Sequence, residues 1–339
     1  SDVYKRQDWR GTILWLKTTF DEYGHKITLL SNGEYMEHVL YFGHQAEINQ
    51  FIADGHEVAT HNHNFYRNGA FDWRQASKSD FLLTNQSWAD TKYYVDAVVG
   101  AANDTTICAA ISRIFQRPLM EYYGYTVDGS SAADGREHVS DGYIGHRPWH
   151  PFRPTNSTVS GQDLLEDFTA PFVYLDYYPQ INSEFGHGSY SRLIDFQRYF
   201  LHIYKAWLTK QAANEDLGED KVWVWGWLTH AGSGATSAQT KEKIETMLYW
   251  LNENFIGKQT PQGNLIARSA TEKEVYQEFL VWETNHLNQS SFSYYLPIAG
   301  DINADGIVDI FDLVIVAASF GSSIGDPSYN PDADLNSDG

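Results

Sequence analysis

The chain has 339 residues, a net charge of −20, 42% hydrophobic and 15% aromatic residues. That length suits one large domain plus a small one. The charge argues against nucleic acid as a partner, which calls for basic patches, and no run of about 18 apolar residues offers a membrane span. Cys108 is the single cysteine, so no internal disulfide forms. Eleven Trp and 22 Tyr either fill a core or expose ring faces to sugars, and composition alone does not choose.

Residues 1–7 (Ser-Asp-Val-Tyr-Lys-Arg-Gln) read as translated adapter sequence and are set aside from the fold. Over 11–23, Ile13, Leu14, Leu16 and Phe20 have helical spacing, and Gly24 is a stop. Ile27–Leu30 reads as a short buried strand and 44–54 as a helix. Glu57–Thr60 reads as a strand running into His61-Asn62-His63. Further strands are expected at Asp96–Gly100, Pro171–Leu175, Val222–Leu228 and Leu265–Ala267, and helices over 191–211 and 238–254. Alternating strands and helices predict an α/β class with a parallel sheet. About eight such units suit a barrel, complete or incomplete. Residues 141–190 look like an insertion and 291–299 like a linker.

Residues 300–339 hold eight Asp and no Lys, Arg or Glu. From Asp301 the chain reads Asp-Ile-Asn-Ala-Asp-Gly-Ile-Val-Asp-Ile-Phe-Asp. Asp301, Asn303, Asp305, Asp309 and Asp312 place oxygens at loop positions 1, 3, 5, 9 and 12, and Ile307 offers a carbonyl at position 7. That spacing wraps a hard cation such as Ca2+, with Gly306 at the sharp turn. An apolar-faced helix is expected over Phe311–Phe320. The motif begins again at Asp334, Asn336 and Asp338, and the sequence given stops at Gly339. A duplicated loop with Asp at position 12 resembles dockerin repeats. The resemblance implies Ca2+ binding, a cohesin-type partner, and an extracellular or cell-surface location. It also makes Ile310 and Phe311 an apolar contact surface. The incomplete second loop is expected to bind calcium weakly or not at all.

A second resemblance covers roughly residues 11–285. Tyr23-Gly24, a strand, a helix, then Gly55-His56-Glu57-Val58-Ala59-Thr60-His61 is similar to the opening of polysaccharide deacetylases (NodB-like, carbohydrate esterase family 4). Tyr123–Ser131 resembles the family's Gly-aromatic-x-x-Asp-Ser-Ser segment, and Trp227-Leu228-Thr229-His230 its late strand ending in a catalytic His. The resemblance implies an irregular (β/α) barrel over residues 8–290. It also implies a hydrolase that removes acetyl groups from a polysaccharide through a divalent transition metal of the Zn2+ type.

On that resemblance, His61 falls on the first metal His and His230 on the leaving-group acid. The family's second metal His lies four residues after the first, where this chain has Phe65; His63 stands in for it. Thr19-Phe20-Asp21-Glu22 looks like the family's Asp motif but lies in the helix before Tyr-Gly. The motif belongs near Asp8 or earlier, which leaves Asp8 as the candidate base. The family's Arg-x-Pro is missing at 100–104, and Arg147, Trp149 and Arg153 are the substrate-facing candidates. Each reading has a plain counterpart. His61 and His63 can be loop residues in turn hydrogen bonds, His230 a capped core His, and 146–154 a Pro-stiffened surface loop. A glycan-binding domain without hydrolysis, or an amidase acting on cell-wall material, are the rival functions.

Overall fold

The computed structural model describes residues 2–77, 79–109, 113–129, 150–153, 167–171, 173–175, 184–185, 193–212, 221–231, 235, 237–288, 310–322 and 333. Helix α1 (Asp2–Glu22) includes the residues that read as adapter. It buries Ile13, Leu16 and Phe20 on one face and ends at Gly24, whose φ of 70° suits glycine. Strand β1 (Thr28–Ser31) follows. The Asn32 side chain then caps α2 (Gly33–Phe42) by accepting from the Tyr35 N–H. After α3 (Gln45–Ala53) come β2 (Glu57–Asn62) and an unexpected hairpin of β3 (Phe65–Gly69) and β4 (Asp72–Gln75).

Asp80 caps α4 (Phe81–Val99). Residues 96–99 are therefore the last turn of a helix, not the strand expected at Asp96–Gly100. Val95, Val98 and Val99 are buried at helical spacing, and the strand in this region is β5 (Thr106–Ala109). Then come α5 (Arg113–Tyr122), β6 (Val127–Asp128), β7 (Val173–Tyr174) and β8 (Glu184–Phe185). The chain continues with α6 (Leu193–Ala212), β9 (Leu228–Thr229), α7 (Ala238–Asn254), α8 (Glu272–Asn285) and α9 (Ile310–Ser319). The strand expected over Val222–Leu228 shrinks to β9. The one expected at Leu265–Ala267 makes only isolated bridges, to Ile256 and Gln259.

Five strands form one parallel sheet in the order β1-β2-β5-β6-β7. The α/β class with a parallel sheet therefore holds. Barrel closure does not appear among the described residues, where β8 and β9 form a separate parallel pair. One face of the sheet carries Val58 under Ile13, Met36, Phe51 and Val95 from α1 to α4. It continues with Ile107 and Tyr174 against Trp88 and Met120. Val127 and Val173 belong to the other face and pack on Phe279 and Trp282 of α8. A further cluster joins Leu16 and Phe20 of α1 to α6 and α7.

Two buried polar networks tie this frame together. Under β2, Asp104 accepts from Thr60 Oγ1 (2.8 Å), Tyr125 OH (3.0 Å) and Lys92 Nζ (3.4 Å). One carboxylate thus links β2, the start of β5, the approach to β6 and α4. The N-terminus of α8, closed by a capping box between Thr271 and Glu274, meets the starts of β1 and β2. There Thr28 Oγ1 donates to Glu57 Oε2 (3.0 Å) and accepts from the Glu272 N–H (3.0 Å), while the Lys273 N–H donates to Glu57 (2.9 Å). Burial pushes both the Glu57 and the Glu272 carboxyl upward. At Gly129 a Cβ would run into the Glu272 carboxyl, so a larger residue there requires that side chain to move.

Asp104 predicts a pH dependence. Burial, opposed by Lys92 and the Thr60 hydrogen bond, raises its carboxyl to about 6, against about 3.9 in an unfolded chain. The folded protein holds the extra proton between those values, so this contribution to stability falls as pH rises. Between pH 4 and pH 8 the loss is about 2 kcal/mol. Urea unfolding across that range should show the slope in the wild type and a flatter one in Asp104→Asn. Parallel slopes in the two proteins would contradict the assignment.

Candidate active site

The site is built on β2. Val58, Ala59 and Thr60 are almost fully buried, and the strand is hydrogen-bonded to β1 on one edge and β5 on the other. His61 lies at its C-terminal end, in register with Cys108. Beyond it the chain turns sharply. The Asn62 side chain accepts from the Asn64 N–H (2.6 Å), an Asx turn, and Asn64 takes a φ of 60°. The turn brings His63 back so that its Nε2 lies 2.5 Å from His61 Nε2, with ring centroids 4.3 Å apart.

The hairpin holds this turn in place. Gln75 Nε2 donates to the His63 carbonyl (3.3 Å), and the Ala76 N–H donates to the Asn64 carbonyl (2.8 Å). The hairpin is itself clasped by Glu37 of α2. That buried carboxylate accepts from Trp73 Nε1 (2.7 Å), Arg67 Nε (2.8 Å), the Phe71 N–H (3.2 Å) and Tyr94 OH (3.3 Å). Phe71, at a φ of 58°, is held in a conformation that side chains with a Cβ seldom adopt. Phe65 opens β3, so the residue four after His61 sits on a strand and not one helical turn away. The i, i+4 arrangement is therefore absent, and His63 is the histidine that lies beside His61. The hairpin was missed from sequence because its loop, Ala70-Phe71 between the paired Gly69 and Asp72, is not one of the usual two-residue turn signals.

Two imidazole nitrogens this close share either a proton or a cation. Two positions of a four-coordinate zinc-type centre lie about 3.3 Å apart, so the two rings would have to part by under an ångström to take such a metal. Among the described residues no group of three His, Cys, Asp or Glu side chains closes around a metal position.

The other candidates are placed as follows. His230 is exposed, one residue past β9, and its carbonyl accepts from the Ala235 N–H (3.0 Å). Asp8 lies within α1, but its side chain, like Arg147 and Trp149, is outside the described residues. Arg153 is described and does not join the His pair. Its guanidinium is held by Glu283 (2.5 and 2.8 Å) and by the Ala170 carbonyl (2.8 Å). The Glu283 hydrogen bonds keep it above its usual range. Ala170 lies just before the N-terminal end of β7, whereas His61 ends β2 at its C-terminus. Asp21 is engaged on the last turn of α1, accepting from His56 Nε2 (2.8 Å) and Lys17 (2.6 Å).

Of the residues expected from the sequence to bind calcium, Asp312 is buried in the first turn of α9. Asp301, Asn303, Asp305, Ile307, Asp309, Asp334, Asn336 and Asp338 lie outside the described residues. Ile310, Leu313 and Val314 leave one side of α9 exposed, and no described helix is long and apolar enough to cross a membrane.

No family model matches the sequence, and no curated protein matches it. Among solved structures, the chain is similar to a Mycobacterium smegmatis protein described as a candidate polysaccharide deacetylase. The two share 12% identity over 80% of this chain and 78% of that one, with a TM-score of 0.46. So distant a likeness carries no chemistry across.

The clasp is testable. Glu37→Ala leaves the Trp73, Arg67 and Phe71 donors without their acceptor, a loss of about 3 kcal/mol. Urea unfolding should show that loss, and amide exchange over residues 65–75 should quicken beyond the global change. Uniform exchange across the chain would mean that the hairpin does not depend on Glu37.

Proposed function

We propose that the chain is a metal-dependent hydrolase that removes acetyl groups from a polysaccharide, with His61 and His63 as metal ligands. The convergence of their Nε2 atoms, 2.5 Å apart, is the observation that carries this reading. Its position supports it too, since open parallel sheets take ligands at the carboxyl ends of their strands. A bound divalent metal would polarise the acyl carbonyl and lower the pKa of an attacking water. The protein's own part is to fix the two imidazoles: β2 holds His61 from both edges, and the Asn62 turn with Gln75 aims His63. His230 is assigned the proton to the leaving group and Asp8 the proton from the water. Arg147 and Trp149 are assigned to the sugar. In the same reading, the Asp301–Asp312 loop binds Ca2+ and tethers the enzyme to a cohesin-type partner outside the cell.

A second reading, glycan binding without hydrolysis, is favoured by one observation: the described residues supply two ligands and not three. Metal content separates the two. After calcium is stripped from the protein, elemental analysis should find about one transition metal per chain, lost in His61→Ala and in His63→Ala. Acetate release from acetylated polysaccharides should fall at least ~100-fold in each variant, since even supporting residues of metal sites cost 10–100-fold. A wild type that takes up no zinc would sink the hydrolase reading in favour of glycan binding. Release of an amino acid or amine, instead of acetate, would point to the amidase.

A further inference from the structure

The first turn of α8 is seated by side chains from other elements. The Glu272 N–H donates to Thr28 Oγ1 (3.0 Å) and the Lys273 N–H to Glu57 Oε2 (2.9 Å). Thr28 Oγ1 in turn donates to Glu57 Oε2 (3.0 Å). Glu57 thus serves as a helix cap supplied from β2, a favourable place for a negative charge.

The Glu272 carboxyl has no such donors among the described residues. It lies against Gly129, which extends β6 by donating its N–H to the Ile107 carbonyl (2.7 Å). Glu272 Oε2, Glu57 Oε1 and Thr106 Oγ1 are sealed from solvent, and none of them makes a well-formed hydrogen bond. Thr106 is fully buried and faces Glu57 from β5.

The charged groups around this cluster act unequally on the two glutamates. Burial raises Glu272 well above the usual carboxyl range, and Glu57 of β2 and Asp128 of β6 add to the rise as like charges. Burial also raises Glu57, but Thr106, the Lys273 N–H, Thr28 and the Lys273 charge oppose it. The Lys273 ammonium itself reaches outward to the Ala102 carbonyl (3.5 Å). Of the two glutamates, Glu272 is therefore the one that keeps its proton. An ionised carboxylate would be costly in that place, whereas a proton needs no room in a closed space.

We infer that Glu272 is a proton-operated latch: its neutral carboxyl keeps the first turn of α8 seated on β1, β2 and β6, and loss of the proton releases that turn to solvent. In the released turn the carboxyl returns to the ordinary glutamate value of about 4.3. Release then frees one proton, so it becomes easier as pH rises above that value, by about tenfold per pH unit until the seated carboxyl itself ionises. The latch does not depend on the metal reading of His61 and His63.

The test uses the full chain. Native-state amide exchange over residues 272–275, corrected for the intrinsic rate at each pH, measures how often the turn opens. Opening should grow at least ~10-fold between pH 5 and pH 7 in the wild type. It should stay flat in Glu272→Gln, which keeps the shape and cannot ionise. Asp104 is present in both proteins, so the comparison isolates Glu272. Carbon-13 NMR of the glutamate carboxyls gives a reading in the wild type alone. At least one carboxyl should remain protonated at pH 7, and its signal should be missing from Glu272→Gln. The inference is overturned if every glutamate is ionised at pH 7, or if the turn opens with the same pH dependence in both proteins.

Discussion

The candidate site hangs on the fact that β2 is hydrogen-bonded along both edges. A strand held by β1 and β5 cannot slip without flipping every side chain to the opposite face. His61 is therefore fixed by Val58 and Thr60, which are buried on the face opposite its own. Asp104 reinforces this from beneath, because its carboxylate grips Thr60 and Tyr125 at once. A flexible loop could carry two histidines, but it could not hold two ring nitrogens against one point. Here the first ring is set by the sheet, and only the second needs a turn to aim it.

That second ring depends on charge taken out of water. Glu37 is 6% exposed and would be costly to bury alone. Donors from an arginine, an indole, a backbone amide and a phenol meet it together. Three of them come from the hairpin and the fourth from α4, so the carboxylate acts as a template against which β3 and β4 fold. The chain from Glu37 to His63 runs through Trp73, Gln75 and the Asn64 turn. The surface hairpin is in this way coupled to the interior of α2.

Much of the frame is legible in the sequence because its signals are local. Gly24 and Gly55 mark helix ends, the run from Glu57 marks a strand, and His61 and His63 stand out at its end. Where signals compete, the reading fails. The apolar run before Gly100 suits a short strand or a helix end equally, and only the Asp80 cap and the length from Phe81 decide for helix. Other features have no local signal at all. Arg153 finds Glu283 across 130 residues, and nothing near Glu272 announces a first-turn glutamate turned inward. The nearness of His63 to His61 is visible as spacing, but their convergence needs the backbone of Asn64 at positive φ.

The contacts of the C-terminal half with the start of the sheet have a consequence for how the chain acquires its fold. Thr28 meets Glu272 across 244 residues, Lys26 meets Ser269 across 243, and His25 meets Asn252 across 227. Contacts so distant in sequence require the loop-closure entropy to be met before they stabilise anything, which slows folding. During synthesis, β1 and β2 emerge long before the segment that satisfies Thr28 and Glu57. Until residues 269–283 arrive, the lower rim of the sheet keeps open hydrogen-bonding groups and the bare faces of Val127 and Val173. The nascent domain thus has a long interval in which its first half is sticky, and its final helix is what ends that interval.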